Sequence, residues 1–516
     1  MESTFRASMN WLHTWAGVVW GGLLFAIFWM GTLSVFDREI DLWMKPIIRV
    51  EAVEAVSVDA VAGALKPLVG DAVQWFMRFP TEREPAVRVG YRGTSGPFIQ
   101  RNVDPATLTL MPEEGTLAGT GFIFPFHYSL NIRLWSLGYW IVGLAAMTML
   151  ALCVSGVVIH RKIFTEFFTF RADKQPRRLV LDLHNLTGVL GLPFHFVIAL
   201  SGLIVFFSIH FPSAAELAYG GARRSFNQEA FGDYSRPKAN VPAATSVSLD
   251  SLVHEASRLW DGAKPFFVRV WYPGDANSYV EMRRSSDDAV TMNLDLVHFD
   301  AATGAVLYSY TAAPVLNAQR FISGLHFIQF RHWTLRWVYF GLGLSGCLLI
   351  ATGYLFWLES RRTKHERLGL RGARVVEGIA VGSVTGIIVA TLAFFVVNRL
   401  LPQGAALLGE ERAALEVWTF YLVWVATFAH AWLRPGRAWI EQSCTTAGLA
   451  VAAVILNWLT TGQHLGASLA AAHLRPIAGM DLLLLATAAI SGWVALRLAR
   501  KARGRAATTA GRLSAL

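Results

Sequence analysis

The sequence predicts an α-helical polytopic membrane protein of about eight transmembrane helices. Two α+β domains outside the membrane are inserted into a duplicated four-helix core. Three observations carry this reading. The 516 residues are 54% apolar and 16% charged with a mean hydropathy of +0.40, where a soluble chain is roughly a quarter charged. Apolar runs of the ~20 residues needed to cross a bilayer recur along the chain. The first two thirds of the chain also repeat themselves. Cys153, Cys347 and Cys444 all fall in apolar stretches and offer neither a disulfide framework nor a CxxC metal site.

The apolar runs lie at 11–36, 137–160, 183–210, 334–358, 375–398, 414–433, 438–459 and 478–499. The first is too long for a cleaved signal peptide and lacks a small-residue cleavage site, so it reads as a retained span. The long linkers after spans one and three, 37–135 and 211–325, each carry 10 Lys+Arg and 12 Asp+Glu. The remaining connections are basic. Segment 161–181 holds Arg161, Lys162, Arg171, Lys174, Arg177 and Arg178, and segment 359–374 holds Arg361, Arg362, Lys364, Arg367, Arg371 and Arg374. Six more basic residues follow position 496, most of them in the tail 501–516. By the positive-inside rule these segments, both termini and the linker 363–374 face the cytoplasm, and the two large linkers face outward. The net charge of +10 is therefore an orientation signal, and no nucleic-acid partner is expected.

Span one opens Leu12-His13-Thr14-Trp15-Ala16-Gly17 and span three opens Leu183-His184-Asn185-Leu186-Thr187-Gly188. Both read Leu-His-x-x-x-Gly. The two outside domains share a late element, Val103-Asp104-Pro105-Ala106-Thr107 against Phe299-Asp300-Ala301-Ala302-Thr303. Each then ends on an aromatic-histidine approach to the next span, Phe126-His127-Tyr128 and Leu325-His326-Phe327. His127 precedes Gly156 by 29 residues and His326 precedes Gly353 by 27. The core is thus two copies of span, outside domain, span, in one orientation. Within the domains, apolar spacing predicts helices over 58–69 and 248–259, and alternation predicts strands at 86–92, 266–272, 278–284 and 304–310.

This order of elements resembles the PepSY-associated transmembrane helix family, also called iron-regulated membrane proteins, over about residues 8–362. The resemblance rests on Leu183-His184, Pro193 and Ser201-Gly202 in span three. In span four it rests on Leu325-His326 followed by Arg336-Trp337, Thr352-Gly353 and Trp357. It implies periplasmic PepSY-like domains at 37–135 and 211–325 and a bacterial inner-membrane location. Some members resemble diheme ferric-siderophore reductases, which implies haem b, two per chain, and a ferric siderophore or other periplasmic ferric chelate as acceptor.

An ionisable side chain inside a span is costly and marks a functional position. Two neutral imidazoles from facing helices make a low-spin haem site. The duplication pairs His13 with His184 around an inner haem iron and His127 with His326 around an outer one. A rise of about 1.5 Å per residue puts His195 roughly 16 Å deeper than His184, near mid-membrane and on the same helical face. Straight spans would place the two pairs on the order of 40 Å apart. Three arrangements would close that gap: approaches at 122–133 and 321–333 that bend toward the core, His195 as a ligand, or a bridging aromatic or third haem. Glycines crowd these helices (Gly17, Gly21, Gly22, Gly138, Gly143, Gly156, Gly188, Gly191, Gly341, Gly343 and Gly346), either to admit a macrocycle or to pack helices closely. Arg133 and Arg336 suit haem propionates or snorkelling to headgroups. His160, His210 and His332 read as interfacial, and Trp11, Trp15, Trp135, Trp140, Trp333 and Trp337 as interface anchors.

Residues 375–500 lack the Leu-His-x-x-x-Gly opening and read as an accessory four-helix module that binds quinone, mediates assembly or packs on the core. No GxGxxG fingerprint follows a strand, so a separate cytoplasmic reductase or quinol would supply electrons. The leading expectation is a haem-dependent ferric (siderophore) reductase working across the bilayer. A sensor or scaffold whose PepSY-like domains bind a protein or peptide is the alternative. A transporter is disfavoured by the lack of an intramembrane carboxylate pair in spans one to four.

Overall fold

The computed structural model describes residues 4–93, 96–132, 134–160, 176–210 and 212–513; Arg133 and most of the basic 161–181 loop lie outside them. The chain forms a helical unit (1–45, 114–200 and 337–516) and a sheet unit (46–113 and 201–336). The edges at 45/46 and 113/114 differ from the expected 37–135 boundary. Residues 37–44 and 114–132 fold with the helical unit because their polar groups are bonded there, as shown by Thr120 Oγ1 and N, which donate to Asp41.

The helical unit contains α1 (Phe5–Ser34), α2 (Asp37–Met44), the short α4 (Phe124–Ser129), α5 (Leu137–Ile159), α6 (Pro176–Leu190) and most of α7 (Leu192–Val205). It also contains nearly all of α13 (Trp333–Leu368), then α14 (Gly372–Leu400), α15 (Arg412–Leu433), α16 (Ala438–Thr461), α17 (Leu465–Ala470) and α18 (Arg475–Leu513). Among the described residues, seven single helices are long and apolar enough to cross a membrane, and the α6–α7 pair makes an eighth candidate span. That pair corrects the expectation of one straight third span. It bends by 61° at Gly191, where Pro193 supplies no amide and its ring crowds the carbonyl four residues earlier. Leu24 and Ile27 of α1, Ala145 and Met149 of α5, and Ala199 of α7 pack into one buried cluster.

The sheet unit contains α3 (Val58–Val69), β1 (Gln74–Arg78), β2 (Val87–Arg92) and β3 (Ile99–Val103) from the first copy. After three short helices, α8 (Phe207–His210), α9 (Pro212–Tyr219) and α10 (Arg223–Phe231), the second copy adds α11 (Leu249–Leu259) and four strands. These are β4 (Pro265–Trp271), β5 (Tyr279–Arg284), β6 (Leu296–Asp300) and β7 (Val306–Tyr310), followed by α12 (Pro314–Phe327). The seven strands form a single antiparallel sheet in the order β3-β2-β1-β4-β5-β6-β7. The two copies are joined at β1–β4, where Phe76 faces Arg269 at the centre of the ladder. Val61 and Leu65 of α3 and Leu252 and Ala256 of α11 bury the face formed by Met77, Val89, Val268, Val280 and Val297. The shared Asp-x-Ala-Thr element is a turn in both copies. Asp104 accepts from the amides of Ala106 and Thr107, and Asp300 from those of Ala302 and Thr303.

The two helices cap each other. Ser57 Oγ and the Val58 amide at the start of α3 donate to Asp250 of α11 at 2.5 and 2.6 Å. Ser248 Oγ and the amides of Leu249 and Asp250 donate to Asp59 of α3 at 2.5, 2.8 and 3.2 Å. Burial opposes the charge on Asp59, but the bonds from Ser248, Leu249 and Asp250 outweigh it and hold the carboxyl below its ordinary range. That stabilisation is complete above the ordinary aspartate range and is lost as pH falls through the lowered value. Asp59→Ala is expected to destabilise α11 by about 1 kcal/mol. Amide hydrogen exchange should then quicken at Leu249 and Asp250, whereas Asp250→Ala quickens it at Val58. If each variant loosens only its own helix, the caps are not exchanged.

Candidate functional site

The helical unit encloses a cavity of about 600 Å³, within the range of cofactor sites. His13 of α1, His184 of α6 and His195 of α7 all line it. The His13 and His184 rings have centroids 6.3 Å apart and nearly perpendicular planes. The structure therefore brings together three of the five histidines singled out in the sequence. His195 faces the same cavity as His184, although the bend at Gly191 removes the shared-face geometry of a straight helix.

Each ring has its Nδ1 or Nε2 held from one side. His13 Nδ1 pairs with Ser155 Oγ at 3.0 Å. His184 Nδ1 donates to the Leu349 carbonyl at 2.9 Å, with Thr352 Oγ1 at 3.4 Å. The positions preceding Gly156 and Gly353 thus supply equivalent hydroxyls, Ser155 and Thr352. With Nδ1 engaged, Nε2 is the nitrogen that each ring could offer to a ligand. His195 differs. It is fully buried, its Nε2 makes long contacts to Leu342 O (3.4 Å) and Ser345 Oγ (3.3 Å), and its Nδ1 has no hydrogen-bond partner.

The glycines mark the rings. A Cβ on Gly156 would meet His13 Cε1 at 3.4 Å, and one on Gly353 would meet His184 Cε1 at 3.3 Å. On Gly31 it would meet His127 Cε1 at 2.6 Å, and on Gly202 His326 Cε1 at 3.0 Å. So each of the four duplicated histidines lies on a glycine of a neighbouring span, in the same pairing in both copies. Gly31 was not singled out in the sequence, and Gly202 only as part of the family resemblance. The register that aligns His13 with His184 aligns these two as well, which is the signal that identifies them. Around Gly17 nothing lies within 4 Å, and around Gly188 only Leu349 Cδ1 does, at 3.3 Å.

His127 belongs to the helical unit and His326 to the sheet unit, and each is described within its own. The first approach does bend. Helix α4 lies against α1, so that His127 Nδ1 donates to the Ile27 carbonyl at 2.9 Å rather than sitting beyond the end of α1. Along α1, Ile27 is 14 residues past His13, an axial rise of about 21 Å. In the sheet unit, His326 Nδ1 pairs with Ser201 Oγ at 3.0 Å, and Gln319 Nε2 reaches the Ile204 carbonyl. Arg336 is fully buried with its guanidinium 4.5 Å from the Trp333 ring, which excludes snorkelling. Arg133 lies outside the described residues. Arg6, Asn10, His160 and Arg361 also line the cavity. His254 and His332 are exposed, and His298 is buried in the sheet. The six tryptophans expected at interfaces are all exposed.

The PepSY-associated TM region model matches residues 10–360. The chain belongs to this family. The matched region ends just before α14, so helices α14–α18 lie beyond the part the family shares. The chain is similar to an uncharacterized protein of Pseudomonas aeruginosa, 27% identical over 344 residues that make up 63% of this chain and 84% of the relative.

Among the described residues, no three His, Cys, Asp or Glu side chains converge as a bare metal ion would require. Two imidazoles suffice where a macrocycle supplies the remaining donors. Of the glycines set against these histidines, Gly191 makes the closest contact, because an added Cβ would lie 2.3 Å from His195 Cε1. Gly191→Ala is expected to destabilise the protein by about 1–3 kcal/mol. Gly156→Ala, with an ordinary contact, is expected to be neutral or stabilising by up to about 1 kcal/mol. Thermal unfolding in detergent compares the two; equal stability would show that the His195 ring is not held against Gly191.

Proposed function

We propose that this family member binds haem b and carries electrons across the bilayer to an acceptor on the side of the sheet unit, a ferric chelate such as a ferric siderophore. The observation that carries the reading is the His13–His184 pair on one cavity. Metal–imidazole bonds of roughly 2 Å set two imidazoles on one metal atom on the order of 6 Å apart, centre to centre. The observed 6.3 Å agrees. Both Nδ1 atoms are engaged and both Nε2 atoms are left for ligation. When bound, the haem iron would supply one-electron redox chemistry.

The chain's own residues do the rest. Ser155 and the Leu349 carbonyl orient the two rings. Gly17 and Gly188, one turn beyond each histidine, leave the wall open to a flat group. Leu24, Met149 and Leu349 exclude water from the cavity. Arg6 and Arg361, on the same cavity, suit the carboxylates of haem. The duplication in the sequence makes His127 and His326 the second pair of candidate ligands, each cradled on a glycine within its own unit. His195, a third imidazole on the cavity, is an alternative ligand. By the positive-inside rule the basic segments favour a cytoplasmic His13 end and cytoplasmic termini, and on that reading electrons enter from a separate reductase or from quinol.

The test is a dithionite-reduced minus oxidised spectrum of protein expressed with ample haem. It should show b-type bands at about two haems per chain. His13→Ala and His184→Ala should lose the same haem, because one iron joins them, and His127→Ala and His326→Ala the other. A colourless, folded protein would overturn the redox reading and leave a sensor or scaffold. Two haems retained in all four variants would overturn the ligand assignment.

A further inference from the structure

Two of the helices beyond the family region, α14 and α15, converge on one short stretch of chain. Arg412 donates to the Glu114 carbonyl at 2.7 Å and pairs with Glu416 at 3.1 Å. Glu416 is fully buried and accepts from Thr116 Oγ1 and, at 2.9 Å, from Asn398 Nδ2. Phe122 packs on Phe394 and Phe420 with ring centroids 4.8 and 5.1 Å apart, and Phe126 packs on Phe420 and Trp424 at 5.7 and 5.9 Å. The Tyr421 hydroxyl donates to the Leu130 carbonyl at 3.1 Å. The other passage to the sheet unit is held as well: Arg399 donates to the Met44 carbonyl, and Trp43 Nε1 to Asp481 at 2.8 Å.

The stretch so gripped, 114–130, ends in α4, which carries His127. Helix α4 has only six residues and follows a π-helical turn at Gly119–Ile123. Isolated helices shorter than about 12–15 residues do not hold themselves. Its counterpart in the second copy, α12, carries His326 on 14 residues with a proline at its start. The first approach, on the shorter helix, therefore depends more on outside support than the second.

We propose that α14 and α15 are a positioning module for His127, holding α4 against α1 so that the imidazole stays on Gly31 with its Nδ1 on the Ile27 carbonyl. Arg412, Glu416, Phe420 and Tyr421 are positioning residues in this arrangement. The consequence for redox chemistry rests on the haem reading above; the consequence for α4 does not.

The experiment uses the full chain with Tyr421→Phe, which removes one hydroxyl, and with Glu416→Ala and its conservative partner Glu416→Gln. Hydrogen exchange is read at 122–131 and at 9–17, and the midpoint potential and spectrum of each haem are recorded. The expected result is several-fold faster exchange confined to 122–131, greatest in Glu416→Ala and partly rescued in Glu416→Gln. Only the haem that depends on His127 should shift in potential. Unchanged exchange at 122–131 in both Tyr421→Phe and Glu416→Ala, or exchange that rises equally at 9–17, overturns the positioning role. Faster exchange confined to 122–131 in a protein that binds no haem supports that role and overturns the haem reading instead.

Discussion

An imidazole placed among apolar helices imposes two demands, space for its ring and a partner for its N–H. A buried donor or acceptor left unpaired costs about 1–3 kcal/mol. This bundle meets both demands with one device. A glycine on the neighbouring helix receives the ring, and a carbonyl or hydroxyl takes Nδ1. Ser155 and Gly156 serve His13; Leu349, Thr352 and Gly353 serve His184; Ser201 and Gly202 serve His326; Ile27 and Gly31 serve His127. The histidines, the glycines and the span registers are thus one constraint. The helices could not shift along one another without leaving a ring against a Cβ or an N–H against hydrocarbon.

The duplication solves a different problem in the sheet unit. Three strands and a helix are close to the minimum for independent stability. Pairing β1 with β4 makes one sheet of seven strands, and the two helices then share its covered face. Asp59 and Asp250 each add to the serine cap of the other copy's helix, so neither helix start is fully satisfied until both copies are folded. The two halves of the unit therefore depend on each other even though they lie on different passages of the chain.

Much of this was legible from local pattern. The helix at 58–69 and the strands β2, β4 and β5 follow from spacing that a window of ten residues contains. So do the apolar spans and the Leu-His-x-x-x-Gly repeat. What was not legible is set by distant partners. Strand β6 is buried on both faces at Leu296–Phe299, so it shows no alternation. The caps pair Asp59 with Ser248, which no local rule connects. Pro193 was visible, but a proline alone does not say whether a span kinks or ends. Segments 37–45 and 114–135 carry acids and bases that read as outside chain. Asp37, Glu39, Asp41 and Glu114 are nonetheless buried, as are Glu416 and Asp481 in the last four spans. A charge reads as solvated until its partner is found, and key partners here are far off in sequence: Thr120 for Asp41, Thr116 for Glu416 and Trp43 for Asp481.

One position breaks the symmetry. In the register that superposes spans one and three, His195 takes the place of Leu24, and both line the same cavity. Leu24 is an ordinary buried wall residue within the cluster of Ile27, Ala145 and Met149. His195 brings a polar ring to that wall without the short hydrogen bond that every duplicated histidine has. Its Nε2 contacts are 3.3 and 3.4 Å and its Nδ1 is unpartnered, while Gly191 is shaped closely to its Cε1 edge. Packing therefore fixes the ring where hydrogen bonding does not. A structural histidine is normally held the other way round, by its partners, with tolerance in its packing. The cavity thus has one wall set by repetition and one wall that departs from it. The departure lies on the helix that the proline bends.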